Sequence, residues 1–418
     1  MKKLTFIILC LEGAILSFNV AACAALVPSI AKDFVISEFV AGRIIWLYML
    51  PYGFAALFYG PLVRVYDAKK VEIVCLFIFS LANLLAVFSK NIMSLFAARF
   101  LMGIFGASVI PLALILIAES TKTEKRGRQV GIFFGATFVA SLLGLFLSGI
   151  LHWRFIFLLP AIAGFILLIL MYFYLPNFKP QAKKFTPLEN PAIYGGNGTD
   201  LMRPSISCGV NRKGRVKESK VKIPSFLTGF SLNYIATFKS KTVLHIFTYI
   251  FFISLFYHGV QQWLGVYFSK QYGLEQFMIS ALITLTSLSG IFGETMGGWL
   301  SDVIGRARTA NIGIVIMIIS VFILVFKMPP VALVILMIVW GFGWTLNHAG
   351  ISTILTDLPK EHLNEAASLN SGVRFISGGI GAVLGGAIMQ KSFILGFIIF
   401  GICLLGLLLF SKQFIIKV

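Results

Sequence analysis

Gly298-Trp-Leu-Ser-Asp-Val-Ile-Gly-Arg-Ala-Arg308 packs two glycines, an acid and two arginines into the short gap between two long apolar runs. A second stretch, Gly60-Pro-Leu-Val-Arg-Val-Tyr-Asp-Ala-Lys-Lys70, repeats the framing of Gly-x-Leu followed by a basic pair, and it too joins two apolar runs. The two lie 238 residues apart, a little over half of the 418-residue chain. A fixed offset of that size marks an internal duplication, so the fold is read as two copies of one unit.

Composition sets the solvent of that unit. Hydrophobic residues make up 58% of the chain and charged residues 12%, against roughly 45–50% and 25% in a soluble globular domain. The chain is therefore expected to be a polytopic membrane protein. Crossing a hydrocarbon core of about 30 Å as a helix takes about 20 apolar residues, and twelve such runs are found: 5–30, 38–62, 71–89, 92–118, 128–151, 153–175, 242–267, 277–300, 310–327, 331–356, 364–389 and 392–411. Six precede a long polar interval and six follow it. This predicts an N-terminal six-helix bundle over 1–175, a basic loop over 176–241 and a C-terminal six-helix bundle over 242–418. The loop mixes Pro, Gly, Asn and Ser with twelve basic and three acidic residues, too polar to bury a core, so it reads as a tether.

The net charge of +19 is read as a membrane signal rather than as nucleic-acid binding, since no recognition motif accompanies it. If the N-terminus is cytoplasmic, that side collects 26 Lys and Arg and the other side 7; leaving out the long central loop gives 14 against 7. Both termini are thus expected in the cytoplasm, with the protein in the plasma or inner membrane. Met1-Lys2-Lys3 followed by an apolar stretch and Cys23 imitates a secretory signal, but Glu12 interrupts the apolar centre and cleavage would break the six-plus-six symmetry. Five scattered cysteines give neither a disulfide framework nor a zinc site. No catalytic arrangement, metal or cofactor site is expected, and no phosphate-binding glycine loop marks a primary pump.

At this point the residues resemble a known family. Gly298, Leu300, Asp302, Gly305, Arg306 and Arg308 are similar to the Gly-x-Leu-x-Asp-x-x-Gly-Arg-x-Arg loop of the major facilitator superfamily. The copy at Gly60 is degraded: Arg64 stands where the acid belongs and Asp67 where the second glycine belongs. Arg99-x-x-x-Gly103-x-x-Gly106 resembles the fourth-helix pattern of that family, and Lys125-Arg126-Gly127-Arg128 the basic loop after it. The drug:proton antiporters of the family carry Gly-Pro-x-x-Gly-Gly in the fifth helix; Gly144-Leu-Phe-Leu-Ser-Gly149 keeps only its ends, and those glycines also read simply as small residues that let helices approach.

The resemblance implies an all-α membrane protein of twelve transmembrane helices in two pseudo-symmetric six-helix bundles, each of two inverted three-helix repeats, rocking about a midplane site. It also implies that Asp302 faces the start of the fifth helix near Arg126 and Arg128, holding one conformation through the positive helix end. Arg64 is expected to reverse that latch by pairing with Glu361 or Glu365 at the start of the eleventh helix. Gly60, Asp67, Gly298, Gly305 and Arg306 complete these gating loops.

Polar groups inside spans are costly and ordinarily mark a bundle interior or an aqueous path. Glu12, Asn19 and Cys23 share one face of the first helix, and Glu12 is read as the one acid well inside the N-terminal bundle. Low-dielectric surroundings favour a neutral carboxyl, so Glu12 is the expected proton carrier, the alternative being a carboxylate that snorkels to the cytoplasmic interface or pairs with a nearby base. The resemblance adds Arg99 as the cavity-facing partner in coupling, the alternative being that it only satisfies backbone carbonyls. For the substrate cavity the C-terminal half offers His258, Gln261 and Gln262 on the seventh helix, Trp340, Trp344, Asn347 and His348 on the tenth, and Asn370 and Arg374 on the eleventh. Tyr48, Tyr52 and Asn19 are expected to face them from the other half. Glu294 is assigned to the loop's charge network. The function expected is secondary active transport of a small molecule, proton-coupled and directed to export of drug-like or amphipathic compounds. The alternatives are proton-coupled uptake of a metabolite or organic anion, a non-transporting sensor and a lipid-modifying enzyme. Membrane lipids are the expected surroundings, and a monomer the expected state.

Overall fold

The computed structural model describes residues 3–121, 123–177, 237–356 and 363–415. Among these, the N-terminal half contains α1 (Lys3–Phe34), α2 (Glu38–Ala41), α3 (Arg43–Val65), α4 (Ala68–Val87), α5 (Ile92–Gly106), α6 (Val109–Ser120), α7 (Thr123–Ser148) and α8 (Trp153–Tyr174). The C-terminal half contains α9 (Lys241–Gln261), α10 (Leu264–Tyr272), α11 (Gln276–Ile304), α12 (Arg306–Ile323), α13 (Pro330–Thr356), α14 (Leu363–Met389) and α15 (Phe393–Ile415). They form twelve helical spans long and apolar enough to cross a membrane, α2 with α3, α5 with α6, and α9 with α10 each composing one. The protein is an all-α membrane protein of two six-helix halves. Most of the expected tether at 176–241 lies outside the described residues.

Local chemistry sets the helix ends. Ser37, Asp67 and Asn91 cap α2, α4 and α5, their side-chain oxygens accepting from the amides of Phe39, Lys70 and Ser94, which satisfies donors that a helix start leaves open. The fourth span breaks between α5 and α6 because Pro111 has no amide proton for the carbonyl of Ala107 and its ring crowds that carbonyl. The stretch first read as a loop is mostly helix: α11 runs through Ile304, Gly305 alone turns at φ 95°, and α12 begins at Arg306. Nothing from Trp299 to Ile304 breaks a helix, whereas Gly305 occupies backbone space that side chains disfavour.

Glycines set the spacing of the spans. A Cβ at Gly144 would meet the carbonyl of Phe18 on α1, and one at Gly385 the carbonyl of Gly259 on α9. Small residues allow such backbone approach where lipid supplies no hydrophobic drive between helices. Gly385→Leu is therefore expected to overpack the α9–α14 seam by about 1–3 kcal/mol. A lowered apparent melting temperature of the purified protein checks this; an unchanged one would refute the close approach.

Candidate functional site

At the end remote from Lys3 and Gly305 the two halves are joined by polar and aromatic contacts. There the amide of Gln276 donates to the carbonyls of Ala25 at 2.8 Å and Ser148 at 3.2 Å. The hydroxyls of Ser148 and Ser280 lie 3.0 Å apart, and Ser269 Oγ donates to Glu38 Oε1 at 2.7 Å. Trp263 stacks on Phe39 with ring centroids 5.1 Å apart, and Gly42 and Gly386 lie so close to its ring that an added Cβ would collide with it. Lys270 Nζ sits 5.2 Å over the same Phe39 ring. No sequence signal marked this closure, because its groups come from six separate helices. At the other end Asp302 and Arg128 are both exposed, and among the described residues Asp302 has no ion pair. The side chains at 123–127, the start of the fifth helix, lie outside the described residues, and the expected approach of Asp302 falls there. Glu361 and the side chains of Arg64, Arg126 and Glu365 lie outside the described residues, so the expected Arg64 pairing falls there as well. Asp67 serves as the α4 cap, accepting from the amide of Lys70 at 3.3 Å. Gly60 is half-buried within α3, Gly298 has open space beside it, and Arg306 donates to the carbonyl of Thr353 at 2.7 Å.

Between the halves, the C-terminal side presents an aromatic wall with polar groups set into it. Tyr257 stacks on Trp344 at 3.8 Å between centroids, nearly parallel at 7°, and on Trp340 at 5.3 Å. His258 meets the Trp344 ring edge-on at 5.7 Å. Its Nδ1 lies 2.8 Å from the carbonyl of Ser254; a carbonyl only accepts, so Nδ1 carries the proton. Arg374 lies 5.9 Å from the centroid of the Trp344 ring. Its Nε donates to Asn370 Oδ1 at 2.8 Å, while Nη2 is buried with no acceptor. His348 Nδ1 stands 2.6 Å from Glu294 Oε1, both side chains being partly exposed. Glu294 is thus paired with His348 of α13 rather than with a charge of the 298–308 stretch. Its position four residues before Gly298 had suggested the loop, but α11 continues unbroken, which turns it toward α13.

Several expected cavity residues are enclosed instead. Gln261, Trp340 and Asn347 are buried, the indole of Trp340 donating to Gln261 at 2.6 Å and Asn347 to Tyr249 at 2.6 Å and to the carbonyl of Ala310 at 2.9 Å. These bonds hold α9, α12 and α13 together behind the aromatic wall. Gln262 is half-buried against Met49 of the other half. Asn19, Tyr48 and Tyr52 are enclosed as well. Tyr52 packs at 4.0 Å on Phe375, the neighbour of Arg374, and so touches the site from behind. Tyr257, the centre of the stack, was missed although its four-residue spacing from Gln261 placed both on one helix face.

Arg99 also differs from expectation. It is 1% exposed, with Nε donating to the carbonyl of Ile44 at 3.1 Å and Nη1 to Asn19 Oδ1 at 2.7 Å. Asn19 donates in turn to Asn83 at 2.8 Å, and the Tyr48 ring covers the guanidinium at 4.3 Å. In this conformation Arg99 does not face the cavity; it orders α1, α3 and α4 from inside the half. Asn83 was unforeseen, since one asparagine in an apolar run gives no direction. Glu12 is 1% exposed, and the reading of it as the one interior acid is corrected: Glu72 on α4 is 0% exposed and reaches the same carboxyl. Glu72 lies two residues past Lys70, where the sequence placed the membrane boundary.

A family model described as Major Facilitator Superfamily matches residues 9–382 and 266–416. A gallate transporter from Pseudomonas putida is 30% identical over 178 residues, covering 42% of this chain and 39% of its own length. Citrate exporter 1 from Aspergillus niger is 28% identical over 286 residues, covering 65% of this chain and 51% of its own. The chain thus spans about a third to a half of the length of the curated relatives it matches. The crystal structure of a D-xylose-proton symporter superposes with a TM-score of 0.68 at 14% identity, over 98% of this chain and 97% of the other. With twelve spans in two halves and a family match across nearly the whole chain, the protein belongs to the Major Facilitator Superfamily of membrane transporters.

Proposed function

We propose that the protein is a proton-coupled secondary transporter of a small organic acid with an apolar or aromatic body, bound between the halves against Trp344, Tyr257 and Arg374. The single observation that carries this reading is the buried Nη2 of Arg374, which has no acceptor among the described residues. A buried donor left unmade costs about 1–3 kcal/mol, and a carboxylate arriving between the halves relieves that cost. The stacked rings of Tyr257 and Trp344 give the body of the substrate a flat face, in keeping with sites that are mostly apolar with a few placed polar groups. The sequence favoured export of amphipathic compounds over uptake of an organic anion; the guanidinium favours the anion as cargo, and either direction can use the same cavity. Relatives named as gallate transporter and citrate exporter have organic acids as cargo, which supports the cargo class. With both termini cytoplasmic, as the Lys and Arg distribution implies, the joined remote end faces outward.

Proteoliposomes preloaded with benzoate, gallate or citrate and diluted into the labelled acid test the reading. Counterflow of at least one acid is expected, together with an acid-dependent pH change inside the vesicles. Exchange of none of the three, with a neutral or cationic drug exchanged instead, would overturn the organic-acid assignment.

A further inference from the structure

We propose that Glu12 and Glu72 form a carboxyl pair that shares a single proton and is the protonation site of the N-terminal half. This rests on the proton-coupled reading above and adds Glu72, a residue no motif singles out, to the machinery of coupling.

The argument is one of donors and acceptors. Both side chains are buried, at 1% and 0% exposure, in the interior of the N-terminal half. Asn19 of α1 donates to Asn83 of α4 at 2.8 Å, and Glu12 and Glu72, seven and eleven residues before them, lie on those same two helix faces, so the carboxyls point into one space; among the described residues none of their four oxygens receives a hydrogen bond from another group. Two ionised carboxylates are acceptors only, and like charges this close in a dry interior repel strongly. The contact is favourable when one carboxyl keeps its proton and donates it to the other, giving the pair a net charge of −1. On release one O–H bond breaks, the proton passes to water, and two carboxylates remain that repel one another.

The surroundings offer no other way to balance the charge. Tyr59 on α3 donates to the carbonyl of Ile104 at 2.9 Å, and Cys75 on α4 lies 3.5 Å from the Tyr59 hydroxyl, so both are engaged beside the pair. From α7 the facing groups are Phe133 and Thr137, packed on Gly13. Thr5 on α1 lies 3.5 Å from the carbonyl of Tyr174 at the end of α8, and Lys69 on α4 donates to the carbonyl of Tyr172 at 2.8 Å. Arg99 meets α1 at Asn19, seven residues and so about 10 Å along the helix from Glu12. No base among the described residues pairs with either carboxyl. Loss of the proton therefore has to be answered by movement of α1 relative to α4 or by entry of water, and either change couples protonation to the packing of the half that rocks.

Infrared spectroscopy of the purified full-length protein at neutral pH tests occupancy. A protonated-carboxyl carbonyl band that shifts in heavy water is expected in the wild type and is expected to vanish in Glu12→Gln and in Glu72→Gln separately, because the amide then donates to the remaining carboxylate. Absence of the band in the wild type overturns the proposal, and this arm needs no variant to fold. Survival of the band in both single variants overturns the shared proton. In proteoliposomes with benzoate, gallate and citrate, each Gln variant is expected to lose proton-driven accumulation by about tenfold or more beyond any loss in counterflow, within the usual range of coupling between sites. Equal loss of both in each variant, or loss of neither, overturns the coupling role. Wild-type protein that shows the band but exchanges none of the three acids would remove the organic-acid reading and leave the pair standing.

Discussion

Arg374→Ala is expected to reduce the transport efficiency for an organic acid by roughly tenfold to a hundredfold, since a hydrogen bond to a charged group contributes about 1.5–3 kcal/mol. The loss should fall mainly on apparent affinity, because the guanidinium acts on the carboxylate that enters rather than on the rocking of the halves. Arg374→Lys is expected to recover only part of it: a lysine keeps the charge but cannot hold Asn370 with Nε while offering a second arm. Trp344→Ala separates the two components of the site. It removes the stacked partner of Tyr257 and the ring beside Arg374, so it should weaken aromatic acids more than citrate, whereas Arg374→Ala weakens both. Concentration dependence of counterflow with gallate and citrate measures this; equal transport by Arg374→Ala and the wild type would mean that the guanidinium serves only to hold α14 against α9.

The parts of this molecule that were legible in the sequence are those set by one helix at a time. Twelve apolar runs gave twelve spans, and the duplicated glycine stretches gave two halves. Errors arose where a second helix decides. Glu72 sits about a turn inside the basic start of α4 and Glu294 a turn before Gly298, and composition assigns such acids to the interface; only the continuation of α11 and the burial of α4 bring them inward. Arg99 was read as cavity-facing from a motif, but its direction depends on Ile44 and Asn19 on other helices. Trp340 and Trp344 share a helix face by spacing, yet one is enclosed and hydrogen-bonded while the other is half-exposed. The difference comes from Gln261, which spacing on α13 cannot reveal. The remote closure was illegible for a related reason: Glu38, Trp263, Ser269 and Gln276 look like ordinary helix-end residues until the halves are placed together.

That closure carries the second large effect. Trp263→Ala with Gln276→Ala removes one aromatic stack and two hydrogen bonds between the halves. An aromatic pair contributes about 0.5–1.5 kcal/mol and a net hydrogen bond about the same, so the double variant should lose about 2–3 kcal/mol of preference for the remote-closed state. Each 1.4 kcal/mol is about tenfold in an equilibrium, which makes the expected shift about thirtyfold to a hundredfold toward remote-open conformations. Spin labels at Val35→Cys and Lys391→Cys, both exposed on loops at that end, would report it as a longer distance distribution once the five native cysteines are replaced. Transport should slow without a matching change in affinity, because the altered groups never touch the aromatic wall and act only on how readily that end recloses. Arg374→Ala should do the reverse, weakening affinity with the label distances unchanged. If instead both variants alter the distances alike, binding and closure are one structural unit, and the division between an anion-holding wall and a separate remote gate is wrong.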